Sequence, residues 1–267
     1  MLVRILTGLV GAPVVLFILI SGTTAMQIIG TAVGIIAMME YFKAVSTTYK
    51  PMQILGIGAI AVYFIFYRFI IDYYHIYISI LLILTLTINV IKYPKYTLND
   101  ITITFFGVIY VGLLLGLIIS IREMISGLFW VVLIFVCAWG SDTCAYFIGK
   151  FFGAKKLTPI LSPKKTIAGA IGGIIGASIM VWIYCYIMIH LEQIVLSTSQ
   201  IIVLVIVGGI CALLSQIGDL AASSIKRAVN VKDYGRMFPG HGGVLDRIDS
   251  VLLITPLVYI VAYIFTN

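Results

Sequence analysis

An all-α membrane protein of about nine transmembrane helices, with its N-terminus on the cytoplasmic side, is predicted by three features of the sequence. These are the weight of apolar residues, the recurrence of apolar runs at bilayer length, and the placing of basic residues in the short segments between those runs. Of the 267 residues, 62% are hydrophobic and 10% charged, whereas soluble domains carry roughly 25% charged residues. No stretch between the apolar runs is long enough for a separate folded domain, so one membrane domain is expected. About five of its helices fall within residues 1–125, and about four within 126–267, which also carry the long polar loops.

A helix needs about 20 residues to cross the ~30 Å hydrocarbon core. Runs that meet this need lie at 3–20, 25–43, 53–71, 76–91, 101–121, 127–148, 167–190, 200–220 and 249–265. The first resembles a secretory leader in its single arginine and apolar stretch, but no small-residue cleavage motif follows, so it is read as the first span. Pro51 and Pro94 mark loops. The run Ala168 to Ala177 repeats small residues at spacings of three and four, a pattern that lets helix backbones approach closely. No internal repeat of the kind that builds inverted-repeat transporters is visible.

With nine spans, every basic residue except Arg68 and Arg122 falls on one side of the membrane, and the positive-inside rule makes that side cytoplasmic. The net charge of +7 is therefore spread over short loops rather than gathered in a stripe, which argues against nucleic acid as a partner. Cys137, Cys144, Cys185 and Cys211 lie in or beside apolar segments without metal-site or disulfide spacing and read as small core residues. His75 and His190 fall in outer loops.

Chemistry concentrates in two polar stretches, both on the basic side. In the first, residues 149–166, Ser162, Lys164, Lys165 and Thr166 combine point charges with hydroxyl donors, as either a phosphate site or an anchor to lipid headgroups would require. The second runs from Ser215 to Asp249 and alternates acids, bases and glycines. If the eighth helix continues to residue 227, Asp219, Ser223 and Lys226 share a face at i, i+4 and i+7. If the ninth begins near Asp246, Asp246 and Asp249 share one at i, i+3. Carboxylates at two helix ends would suit magnesium, which takes oxygen ligands and bridges carboxylates to phosphates. Alternatively, each acid pairs with a neighbouring base: Asp219 with Lys226 or Arg227, and Asp246 with Arg247. Asp142, at the end of the sixth span, is either a further ligand or a residue reaching for water. The glycines of Gly240-His241-Gly242-Gly243 provide backbone that can turn N–H groups toward an anion, and His241 is the histidine placed to touch phosphate.

Residues 223–249, from Ser223-Ser224-Ile225-Lys226-Arg227 through Lys232-Asp233-Tyr234-Gly235 to Pro239-Gly240-His241-Gly242-Gly243-Val244-Leu245-Asp246-Arg247-Ile248-Asp249, resemble the signature of phosphatidate cytidylyltransferases. Ser141-Asp142-Thr143, Ser162-Pro163-Lys164-Lys165-Thr166 and Ser215-Gln216-Ile217-Gly218-Asp219-Leu220 resemble that family in order and spacing. The resemblance implies attack of phosphatidic acid on the α-phosphorus of CTP, a magnesium ion and room for a second cation, a homodimer, and a bacterial inner membrane with the site facing the cytoplasm. It also implies Asp219 and Asp246 as metal ligands, with Asp249 and Asp142 as further candidates. Lys226, Arg227, Lys164, Lys165, Lys232, His241, Gly242, Gly243 and Arg247 would bind phosphate, and Ser162, Ser223 and Thr166 would add hydroxyls. The sequence departs from the family where Ala168 and Ala222 stand in place of glutamate and Cys144 in place of glycine.

Two other functions compete at this stage. Another CTP-dependent lipid transferase or kinase would use the same groups. A transporter would place charge near the bilayer midplane, whereas here it gathers at one face.

Overall fold

The structure is a computed structural model and describes residues 11, 13–238 and 242–266. Helices dominate it: α1 (Thr23–Val45), α2 (Gln53–Ile65), α3 (Tyr74–Ile91), α4 (Leu98–Glu123), α5 (Gly127–Phe152), α6 (Ile167–His190), α7 (Thr198–Ala228) and α8 (Leu245–Thr266). Among the described residues, all of these except α2 are long and apolar enough to cross a bilayer, which makes seven. The protein is an integral membrane protein. Of the expected first span, residues 13–20 are described and helical, and the rest lies outside the described residues apart from position 11. The expected third span is interrupted. α2 stops after 13 residues at Phe66, whose backbone leaves the helical region at φ −100°, and a single turn, Tyr67–Ile70, follows. At 1.5 Å per residue α2 is about 20 Å long, short of the hydrocarbon core.

The chain divides into two compact units. One comprises residues 1–119 and 226–247, the other 120–225 and 248–267. In the first, Met38, Tyr41, Phe42, Ile60, Tyr63, Phe64 and Tyr67 form a fully buried core on α1, α2 and the turn after α2. Glycines set the spacing of this core. A Cβ on Gly34 would press on Phe64, and one on Gly107 would overlap Tyr41. The start of α4 is tied down by hydrogen bonds. Thr97 and Asp100 form a reciprocal capping box, and Asp100 Oδ1 accepts the Lys50 N–H at 2.6 Å. Within α4, residues Val108–Leu113 wind as a π-helix, which packs Gly112 against Ile60.

The second unit is organised by the seam between α5 and α6. The small residues expected to allow close approach do so: Gly169 lies against the Ala145 carbonyl, Gly172 against Ile148, Gly173 against Ser141 and Gly176 against Cys144. The outer face of α6 carries Ile171, Ile175, Ile179, Trp182 and Tyr186, all exposed in the protein and so available to lipid. The stretch before α6, expected as a loop, contains a short antiparallel hairpin of β1 (Lys156–Thr158) and β2 (Ser162–Thr166). The chain enters α6 at Thr166, whose Oγ1 accepts the Gly169 N–H at 3.1 Å as an N-cap.

Gly172→Val is expected to lower the unfolding midpoint in detergent by several degrees, because the added methyls collide with the Ile148 side chain and overpacking costs about 1–3 kcal/mol. Ile175→Val, on the exposed face, should leave the midpoint within about a degree of the parent.

Candidate active site

The last turns of α7 and the first turn of α8 bring an acid and a base together in the first unit. Lys226 Nζ lies 2.6 Å from Asp246 Oδ1, and both side chains are buried, at 9% and 4% exposure. A lysine taken out of water is costly unless it is paired and hydrogen-bonded. Here the pairing is completed on the acid's other oxygen. Asp246 Oδ2 accepts the backbone N–H groups of Tyr234 and Gly243, each at 2.9 Å. The Lys226 ammonium also sits 5.2 Å from the centre of the buried Tyr234 ring. One carboxylate thus fixes an ammonium and closes the loop between the helices at two points. The pairing expected for Asp246, with the adjacent Arg247, is not made: its base is Lys226, and Arg247 is exposed.

Most other polar residues of the signature lie nearer the surface. Arg227 is exposed and donates to the Val231 carbonyl at 3.0 Å, while Lys232 and Arg236 are exposed on the loop. Ser223 is half-buried on α7. Gly242 has a positive φ of 81°, where a side chain would be strained. Gly243 has no such backbone demand and is glycine for space: a Cβ there would overlap the carboxylate of Glu40 on α1. Glu40 also accepts the Leu245 N–H at 2.9 Å through Oε2. Sequence reasoning passed over this residue. Its available signal was the one acid in a mostly apolar membrane helix. His241 lies outside the described residues.

A second cluster stands in the second unit, where α7 meets the hairpin. Lys165 Nζ lies 2.7 Å from Asp219 Oδ2, with side-chain exposures of 25% and 41%. Asp219 therefore pairs with a lysine from another element rather than with Lys226 or Arg227 of its own helix. Lys165 also reaches the Gln216 carbonyl at 3.5 Å, and Gln216 Nε2 donates to the Ala170 carbonyl at 3.0 Å, anchoring α7 to α6. Gly218 permits close contact with α8, since a Cβ there would lie 2.7 Å from the Asp249 carbonyl oxygen. Asp249 is buried. Ser162 is half-buried, Lys164 and Asp142 are exposed, and Thr166 is buried as the α6 cap. Cys144, where the family resemblance expects glycine, fits because its partner across the seam is Gly176. Ala222 is fully buried, whereas Ala168 is partly exposed.

Among the described residues, no three His, Cys, Asp or Glu side chains converge in a group that could hold a metal ion. Magnesium does not need such a cage, because it commonly binds one or two carboxylates together with waters and substrate phosphates. The half-exposed Asp219 carboxylate, a hard oxygen donor already facing a cation, fits that requirement.

Comparison with known proteins adds a family. A model described as the cytidylyltransferase family matches residues 2–265. The chain is similar to a phosphatidate cytidylyltransferase of Bacillus subtilis (strain 168), with 30% identity over 98% of each chain. It is equally similar, at 30%, to one of Staphylococcus aureus (strain COL), over 97% of this chain and 98% of the other. A third, from Staphylococcus epidermidis, is 35% identical over 66% of this chain and 65% of its own.

The two ion pairs are expected to respond differently to removal of the base. Lys226→Met leaves Asp246 buried without its partner and should destabilise the protein by about 3–5 kcal/mol. Lys165→Met leaves a half-exposed acid and should cost about 1 kcal/mol or less. Thermal unfolding of the two variants in the same detergent measures the difference.

Proposed function

The chain belongs to the cytidylyltransferase family and is a CTP-dependent enzyme of phospholipid synthesis, and we propose that its lipid substrate is phosphatidic acid, as the names of its relatives state for them. The observation that carries this reading is the buried Lys226–Asp246 pair at the centre of the signature loop, surrounded by exposed cations. In the proposed reaction an oxygen of the lipid phosphate attacks the α-phosphorus of CTP. A new P–O–P bond forms, the bond between the α-phosphorus and its bridging oxygen breaks, and pyrophosphate leaves with that oxygen. No protein nucleophile is required.

The chemical problem is charge. A phosphomonoester and a triphosphate repel one another, so fixed cations must neutralise them before in-line attack. In the first unit Arg227, Lys232 and Arg247 are accessible for this, with His241 and Gly242 as further proposed phosphate contacts, while the Gly243 N–H is already donated to Asp246; in the second unit Lys164 and Lys165 are accessible. Ser162 and Ser223, both half-buried, would donate hydroxyl hydrogen bonds, and Thr166 holds the lysines before it in register with α6. Lys226 is held in place by Asp246 and is proposed to lend its charge to the phosphates from that position. Magnesium, when bound, would supply further positive charge against the triphosphate. Asp219 and Asp249, on helices that touch at Gly218, would hold it, with Asp142 a further carboxylate. Asp246, expected as a ligand from the resemblance, has both oxygens engaged by three donors and is assigned primarily to orienting Lys226 and the loop. The reading includes a cytoplasmic-facing site and a homodimer.

Purified protein given phosphatidic acid, magnesium and CTP labelled in the cytidine ring is expected to release pyrophosphate and to label the lipid. Transfer of the γ-phosphate with an unlabelled lipid would instead identify a kinase. Asp246→Asn keeps the shape but removes the charge opposite Lys226, and turnover should fall to about 1% or less. The parent, with Ala168 and Ala222 in place, is expected to be active, and a chain active only after Ala168→Glu and Ala222→Glu would refute that. Chelation by EDTA should stop turnover, and added magnesium should restore it.

A further inference from the structure

We infer that Glu40, on a helix more than 180 residues away in sequence from the signature, is a positioning residue for cytidylyl transfer that holds the loop between α7 and α8 in its working shape. The inference rests on the reading of that loop as the reaction centre. The first N–H groups of a helix have no partner inside it. At the start of α8 the preceding residue is Val244, whose side chain cannot accept a hydrogen bond. Glu40 Oε2 accepts the Leu245 N–H at 2.9 Å across 205 positions of sequence. A carboxylate there also faces the positive end of the helix.

Two further contacts of Glu40, and one made by Thr47, bear on the same loop. The Glu40 carboxylate occupies the space that a side chain would need at Gly235 and at Gly243. Neither glycine has a positive φ, so the requirement for glycine is one of room and Glu40 is its cause. In the turn that follows α1, Thr47 Oγ1 donates to the Val229 carbonyl at 2.9 Å, directly after the end of α7. α1 and the turn after it therefore hold both ends of the segment 229–245, and the N–H groups that Asp246 accepts, those of Tyr234 and Gly243, belong to or adjoin the glycines that lie against Glu40. Glu40 acts through Asp246 and Lys226.

The test uses the full chain in detergent and two readouts, hydrogen exchange of the 229–246 region and steady-state kinetics with CTP. Glu40→Ala should speed exchange in that region by roughly tenfold or more, the scale of losing a hydrogen bond to a charged group. It should lower kcat/KM for CTP by a similar factor, while exchange in α5 and α6 stays unchanged. Glu40→Gln, which keeps an oxygen acceptor, should retain most of the protection and activity. Gly243→Ala should impair the parent strongly, and combining it with Glu40→Ala should cost less than the two changes added together, because removing the carboxylate makes room for the methyl. Exchange and kcat/KM at parental values in Glu40→Ala would overturn the inference. So would a variant that only unfolds at lower temperature with kinetics per folded molecule unchanged, or strict additivity in the pair. Should the parent transfer no cytidylyl group, the proposed function fails, and the exchange and additivity of the variants still decide the role of Glu40.

Discussion

Burial of the Lys226 ammonium is the constraint on which the first unit's polar architecture depends. An isolated ammonium inside protein carries a desolvation penalty of several kcal/mol, and attraction to one carboxylate offsets it only when the remaining hydrogen bonds are satisfied. Asp246 meets both conditions by accepting from Lys226 on one oxygen and from two loop amides on the other. The loop must therefore fold back so that residues 234 and 243 converge on one side chain. Glu40 on α1 and Thr47 in the turn after it then anchor the loop. Ordering these groups in advance reduces what substrate binding has to organise.

The second unit solves a different problem, which is how to present cations at the end of closely packed helices. The glycines of α6 bring it against α5, and Thr166 caps it where β2 ends. Lys164 and Lys165 are thereby carried on a strand rather than on a free loop. Gln216, hydrogen-bonded to the Ala170 carbonyl, and Lys165, paired with Asp219, tie α7 to the same framework. The contrast between the pairs follows from exposure. The Lys226 pair is dry, whereas the Lys165 pair is partly open to water.

The departures from the family pattern are absorbed locally. Cys144 is bulkier than glycine, and Gly176 opposite it supplies the room. Ala222 is enclosed, so a glutamate there would need a buried partner, while Ala168 is partly open and could carry a carboxylate with less cost.

The sequence by itself determined the membrane class, the runs that form seven long helices among the described residues, and the small-residue face by which α6 packs closely. All of these depend on local composition and period, which a bilayer enforces residue by residue. It also narrowed Asp246 to a few roles, because a carboxylate beside the apolar start of a helix needs either a cation or donors. Tertiary structure decided which partner each acid takes, since Lys226 and Lys165 reach Asp246 and Asp219 only through the return of the chain in space. It also decided where the third span breaks, that a hairpin precedes α6, and that Gly235 and Gly243 owe their identity to Glu40. Hydrogen bonds and excluded volume act over a few ångströms in space, and 205 residues of sequence separate Glu40 from the amide that it holds.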